Sequence, residues 1–450
     1  MPLMTVSGSI RHIIKRDGTL VPYDRDRIST AVFRAMGAVG KGTRAQAEAV
    51  ADVVEQAVLA GDGEAFAPSV EDIQDQVEKT LADQGHVETA RAYMIYRQQR
   101  AQARAARAYS FEVSDNIPYK KIYEVLRWNM DHDCLTLQDL NTLMMRGRFA
   151  SLVRDSDRRY EDEIGQCAAQ ILERLDDVRL VIVSGPSSSG KTTTTLKISE
   201  RLQRAGVLFK ALTLDNYFFD LERHPRDQFG DYDYEAPEAL DLALIDDHLQ
   251  RLLKGETVKT PYYNFKTGKR ALDVIEFSLA PNEILLLDSL HGLYEPMTRS
   301  VPAQRKFRLY IETLGQLRAE DGQFMRWADN RLLRRMIRDS LHRNSGPDET
   351  LTHWHYVRRS ELKYIIPFIR TADFLVNSAL PYEMPILKAK LFHHFPLAEE
   401  RYRAHPHRQD AYIRARRILD MLEPLAPMAD DTGVPPQSLL REFIGGSSYG

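Results

Sequence analysis

Eight residues, Gly185-Pro186-Ser187-Ser188-Ser189-Gly190-Lys191-Thr192, follow the apolar run Arg179-Leu-Val-Ile-Val-Ser184 and precede a stretch of helical character. The pattern G-x-x-x-x-G-K-[ST] between a strand and a helix is a phosphate-binding loop. Its two glycines let the backbone curl until several N–H groups face one point, and the helix opening there adds its positive dipole end. Lys191 reaches toward β- and γ-phosphates in such a loop, the Thr192 hydroxyl suits Mg²⁺, and Thr193 continues the cradle. Two acids end other apolar runs. Asp215 follows Val207-Leu-Phe-Lys-Ala-Leu-Thr-Leu214, where it could take a proton from an attacking hydroxyl, and Asp288 closes Ile284-Leu-Leu-Leu. A carboxylate after an apolar strand is a second Mg²⁺ partner beside a loop of this kind; by itself it is an ordinary turn residue. Arg331, Arg334, Arg335 and Arg338 recur at spacings of three and four, one stripe of a helix whose cations suit transferring phosphate charge. Arg343, Arg358, Arg359 and Lys363 continue that basic character. A solvated basic face is the plainer reading.

Aromatic residues cluster beside polar ones in Asp231-Tyr-Asp-Tyr234-Glu235 and Pro261-Tyr262-Tyr263-Asn264-Phe265. Such clusters stack on a base or sugar; core packing or a hairpin explains them equally well. Neither His353-Trp354-His355 nor His393-His394 has metal-ligand spacing.

These residues need elements to hold them. Alternation of strand and helix from Arg179 onward predicts a mostly parallel sheet covered on both faces: strands over 207–214, 283–288, 306–312 and 372–377, helices over 191–204, 237–253 and from Asn330. Ligands of such sheets sit at the carboxyl ends of the strands, where each candidate falls. The first hundred residues form a separate unit. An alternating stretch from His12 to Tyr23 around Asp17-Gly18 predicts a hairpin, and capping boxes at Thr43–Gln46 and Ser69–Asp72 open two of the four helices that follow. Ile73, Val77 and Leu81 share one helical face. Residues 101–178 are expected to be a helical linker and spacer, with helices near 119–130 and 160–176.

At 450 residues the chain is long enough for two or three domains. Its net charge of −3 argues against a general nucleic-acid binder, whose affinity would rest on a basic surface. Cys134 and Cys167, the two cysteines, allow no disulfide framework and are expected to be buried. No apolar run approaches membrane-spanning length and the first residues lack a signal pattern, so a cytoplasmic protein with no membrane partner is expected, as is a homo-oligomer.

From Arg179 onward the chain resembles the uridine kinase/phosphoribulokinase family of P-loop kinases. The resemblance lies in the loop 185–192, Leu214-Asp-Asn-Tyr-Phe218, Gly230-Asp-Tyr-Asp-Tyr-Glu235, Tyr263-Asn-Phe-Lys-Thr-Gly-Lys-Arg270, Asp288-Ser-Leu-His-Gly292, Asp329–Asp339, Asn377-Ser-Ala-Leu380 and Arg441-Glu-Phe-Ile-Gly-Gly-Ser-Ser448. It implies an α/β P-loop fold over 179–450 and ATP-dependent phosphorylation of a hydroxyl with Mg²⁺. Asp215 and Lys191 would be catalytic, Arg335, Arg338 and Arg343 lid residues, and Tyr217, Tyr234, Glu235, Tyr263 and Phe265 would bind the acceptor. Uridine kinases carry a base-reading His where this chain has Gly268, and Glu-Gly where it has Asp288-Ser289. A nucleoside acceptor therefore stands beside a sugar phosphate, a glycerate-type acid, and a nucleotide-gated regulator with a degenerate core. Residues 11–100 resemble an ATP-cone, a small, mainly helical regulatory module with a β-hairpin, through Ile13-Ile-Lys-Arg-Asp-Gly18 and Pro22-Tyr-Asp-Arg-Asp-Arg-Ile28. Lys15, Arg16 and Arg27 would then face the phosphates of an allosteric adenine nucleotide.

Overall fold

The computed structural model describes residues 10–15, 20–61, 67–108, 116–226, 236–342 and 346–449. The chain divides into two compact units, one of residues 1–113 with Leu397–Ala415, the other of 114–396 with 416–450. In the first, β1 (His12–Ile14) and β2 (Leu20–Pro22) pair antiparallel. The helices α1 (Arg25–Ala38), α2 (Arg44–Gly61), α3 (Val70–Asp83) and α4 (Val87–Ala108) follow. Both capping boxes form: Thr43 N–H donates to Gln46 Oε1 at 2.8 Å, and Ser69 and Asp72 cap each other reciprocally. Val32, Val50, Val54, Val77 and Leu81 make the core of this unit. Leu397–Ala415, far along the chain, belongs to it as well. The Tyr412 hydroxyl donates to Asp26 at 3.0 Å and Arg403 to Glu48 at 2.7 Å.

The second unit opens with α5 (Tyr119–Asp131), α6 (Leu137–Met145) and α7 (Phe149–Glu173). Its sheet holds β3 (Leu180–Ser184), β4 (Leu208–Ala211), β7 (Glu283–Asp288), β8 (Lys306–Glu312) and β9 (Phe374–Asn377) in the order β4-β7-β3-β8-β9, all parallel. β5 (Val258–Asn264) and β6 (Lys269–Phe277) form a separate antiparallel hairpin. Between strands run α8 (Lys191–Arg204), α9 (Leu242–Leu253), α10 (Trp327–His342) and α11 (Pro347–Tyr364). The chain closes with α12 (Glu383–Leu391), α13 (His394–Arg403), α14 (Gln409–Leu422) and α15 (Arg441–Ile444). Every residue of β3 is buried, as the apolar run before the loop requires of a central strand. Residues 180, 182, 285 and 287 alternate onto the face where Ile245, Leu249 and Leu252 of α9 pack. The order places β3 between the two halves of the sheet, so the loop after it opens at the switch point, where such sheets bind ligands.

Several sequence expectations shift. The strand expected to reach residue 214 ends at Ala211, because residues 214–217 turn into a 3₁₀ helix. The helix expected from Pro237 starts at Leu242, after a 3₁₀ turn and an Asp241 cap on the Leu244 N–H at 3.1 Å. The spacer holds a further helix, α6, with Leu137, Leu140 and Leu143 buried. Cys134 and Cys167 are buried and unbonded to each other.

Candidate active site

The phosphate-binding loop begins where β3 ends. Gly190 has φ +89 and caps α8, and Ser188 has φ +60, a left-handed conformation that a non-glycine residue holds only when its surroundings impose it. The surroundings here are arginines of α10. Arg331 Nη1 donates to the Ser187 carbonyl at 3.1 Å, and Arg335 Nη1 to the Ser187 hydroxyl at 2.9 Å. Lys191 donates to the Gly185 carbonyl at 2.9 Å. Burial pushes its ammonium pKa down, opposed mainly by the Asp288 charge. Thr192 is exposed at the head of α8.

Asp288 is reached through strand register. Val183 lies opposite it in the parallel pair, and the Ser289 N–H donates to Val183 O at 3.1 Å. The acid therefore stands beside the entrance to the loop. Desolvation pushes its carboxyl pKa up, with Lys191 pulling it down and Glu442 and Asp215 adding to the rise. Asp215 follows the end of β4, the strand next to β7, exposed in a 3₁₀ turn, with its carboxyl raised by desolvation. Leu214 and Tyr217 of that turn point inward and Asp215 outward, so burying the first two aims the third. Two carboxylates thus follow the ends of adjacent strands, and Asp288 interacts with Lys191.

The arginine stripe divides. Arg331 and Arg334 are 1 % and 0 % exposed. Arg331 bonds Glu361 at 3.0 Å and pairs with Glu312, while Arg334 bonds Glu383 at 2.6 Å and the Ser378 carbonyl at 2.6 Å. Burial in a low dielectric makes such pairing obligatory, so these two brace the loop from behind. Arg335 and Arg338, a step round the helix, stay half-buried at the front; Arg335 also pairs with Asp339 at 3.0 Å. Arg343 lies outside the described residues.

The expected acceptor residues scatter. Tyr217 is a correction: it is 0 % exposed in the core and its hydroxyl bonds His248 Nδ1 at 2.8 Å, which leaves no face for an acceptor. Tyr234 and Glu235 lie outside the described residues. Tyr263 and Phe265 meet Phe218 at ring-centroid separations of 5.5 and 6.1 Å, and each other at 5.0 Å. This cluster is tied to Asp215 through its neighbour, since Tyr263 N–H donates to Asn216 Oδ1 at 3.3 Å. His224 joins the cluster at 5.4 Å from Phe218, a member that spacing does not reveal. Gly268 turns the hairpin with φ +65, and a Cβ there would lie 2.8 Å from Leu221 Cβ. No histidine side chain fits at 268 on this backbone.

In the first unit, Lys15 is half-buried and Arg27 pairs with Asp24 at 3.5 Å; Arg16 lies outside the described residues. No helix among the described residues is long and apolar enough to cross a membrane.

Residues 180–382 match the model of the phosphoribulokinase/uridine kinase family, and residues 11–102 match that of the ATP cone domain. A protein named uridine kinase from Oceanobacillus iheyensis is 29% identical over 195 residues, 43% of this chain and 83% of its own. A uridine-cytidine kinase B from Dictyostelium discoideum is 25% identical over 198 residues, 44% of this chain and 73% of its own. The solved structure of a possible uridine kinase from Bacillus stearothermophilus aligns over 48% of this chain and 98% of its own, at 14% identity and a TM-score of 0.33. Together, the matched regions and the parallel sheet with its phosphate-binding loop define a P-loop phosphotransferase. More particularly, the chain is an ATP-dependent kinase acting on a hydroxyl group, with residues 180–382 similar to the phosphoribulokinase/uridine kinase family and residues 11–102 similar to the ATP cone domain.

Proposed function

We propose that the enzyme phosphorylates a nucleoside, with Asp215 as general base. The observation that carries this reading is the Phe218–Tyr263–Phe265 cluster joined to Asn216, one residue from Asp215. Phe265, 67 % exposed and backed by the buried Tyr263, offers a stacking face for a nucleobase beside the acid that would receive the hydroxyl proton. In the proposed step the acceptor oxygen forms a bond to the γ-phosphorus as the bond to the β-phosphate oxygen breaks; the proton passes to Asp215 and ADP leaves. Lys191, Arg335 and Arg338 offset charge on the moving group, and Gly185–Thr193 hold the donor's phosphates. A hydroxyl and a carboxylate, on Thr192 and Asp288, suit a hard oxygen-seeking cation. Among the described residues no cluster of three or more His, Cys, Asp or Glu is arranged for a metal, so phosphate and water oxygens would complete the set for Mg²⁺. Bound there, Mg²⁺ supplies charge neutralisation of the phosphates. Lys15, Arg16 and Arg27 would hold an adenine nucleotide in the cone that sets the rate, in a cytoplasmic homo-oligomer.

Gly268 supports a base reader other than a residue at that position. Incubation with Mg·ATP and a panel of nucleosides, sugar phosphates and glycerate tests the acceptor. Turnover is expected with one or more nucleosides; turnover confined to sugar phosphates or glycerate would contradict the nucleoside reading.

A further inference from the structure

The phosphate-binding loop already carries an anion from its own chain. Glu442 Oε2 accepts both the N–H of Thr193 at 3.1 Å and its hydroxyl at 2.7 Å, across 249 residues of sequence. Its other oxygen stands 4.0 Å from Arg338 Nη1. Thr193 is the third residue of α8, so its N–H belongs to the set that a helix start leaves without an intrahelical partner. These are the donors that a nucleotide's phosphates seek at such a loop. The carboxylate also acts electrostatically on Lys191 and Asp288.

The segment bearing Glu442 is seated on the loop. Leu439 lies so close over Gly190 that a Cβ there would come within 2.6 Å of Leu439 Cδ1. Phe443 lies under the guanidinium groups of Arg334 and Arg338, at 4.9 and 6.0 Å. Arg441 anchors the turn to the carbonyls of Asp431, at 2.7 Å, and Val434, at 2.9 Å. A fixed helix cap would account for one hydrogen bond at Thr193. It does not account for a negative charge held among Lys191, Arg338 and Asp288, where a polyphosphate with several negative charges must come.

We propose that Glu442 is a built-in competitor for the nucleotide phosphates: it holds Thr193 until Mg·ATP enters, and α15 is displaced as the phosphates take its place. The nature of the ligand rests on the kinase assignment; the competition rests on the Glu442 contacts. In the full chain, Glu442→Gln keeps the side chain's shape and an acceptor oxygen but removes the charge. Calorimetry with this variant is expected to give Mg·ATP binding about tenfold tighter than wild type, the scale of one charge-assisted hydrogen bond. Adenosine, which has no phosphate, binds the two proteins alike. In the wild type, saturating Mg·ATP is expected to speed amide hydrogen exchange across 439–446. Unchanged or weaker ATP binding by Glu442→Gln, with wild-type thermal stability, would overturn the competition and leave Glu442 a fixed cap. Slower exchange in 439–446 on ATP binding would overturn it too. Wild-type protein that binds no nucleotide would overturn the kinase assignment as well, so the two failures are told apart.

Discussion

At the scale of single residues, the proposed base Asp215 yields the most direct expectation. Its carboxyl pKa is raised by desolvation, and the neighbouring Asp288 is raised for the same reason. A general base works only in its charged form, so activity falls as pH drops through the raised values. The acid limb of the kcat/KM profile is therefore expected above the ordinary aspartate range near ~4, and it belongs to the two interacting carboxylates together. A limb at or below that range would contradict the assignment. Gly268 yields a second expectation. With Leu221 Cβ 2.8 Å from where a Cβ would sit and φ at +65, Gly268→His should cost about 1–3 kcal/mol without improving selection of pyrimidine nucleosides. Thermal unfolding and acceptor competition check the two halves of that statement. The residues proposed for chemistry stood out in the sequence, because the loop, Asp215 and Asp288 each sit where an apolar run stops. Tyr217 misled: its residue type suits a stacking site, and only the inward turn after Leu214 places it in the core.

At the scale of elements, α10 is the best example of what spacing shows and what it hides. Steps of three and four place four arginines in one stripe, but the stripe is wide enough to straddle two environments. Arg331 and Arg334 face the interior because Glu312, Glu361 and Glu383, on β8, α11 and α12, wait there. Nothing local announces those partners. Arg334→Met strands the buried Glu383, so a loss of about 3–5 kcal/mol is expected in denaturant midpoints. Adding Glu383→Gln should restore much of it. No loss in the single variant would show that the pair is dispensable. β7, β8 and α8 were readable to the residue, since β7 is an apolar run closed by an acid, β8 is largely apolar, and α8 runs from the loop's Gly190 to just before Gly206. The β5–β6 hairpin was not, because most of β6 is exposed and carries no burial pattern to read. The short α6 was missed although Thr136 and Asp139 cap it reciprocally; nine residues are too few for periodicity to stand out.

At the scale of the whole molecule, the cone unit takes in part of the chain's far end. Leu397–Ala415 contributes Tyr402, Ala411, Tyr412 and Ala415 to buried positions, and Arg44 lies 5.3 Å from the Tyr412 ring. No local pattern could announce this, since the pairing of Tyr412 with Asp26 spans 386 residues. Cutting away residues 1–110 therefore should not release a clean catalytic unit. It uncovers the apolar side of 397–415, and the shortened protein is expected to aggregate or to bind a hydrophobic dye, as light scattering and dye fluorescence would show. A soluble, monodisperse and fully active product would contradict that. Lys15→Ala in the full chain is the gentler test of regulation; it should blunt the response of rate to ATP or dATP while leaving basal turnover in place.

The central claim is that phosphoryl transfer runs at the loop of β3 with Asp215 as its base. Transfer of label from γ-labelled Mg·ATP to a nucleoside, compared between wild type and Asp215→Asn, tests it directly. Labelled nucleoside monophosphate is expected from the wild type, with kcat lower by about 10²–10⁴-fold in the variant and the affinity for ATP retained. Equal rates in the two proteins, or no labelled nucleoside from the wild type with any acceptor, would contradict the account.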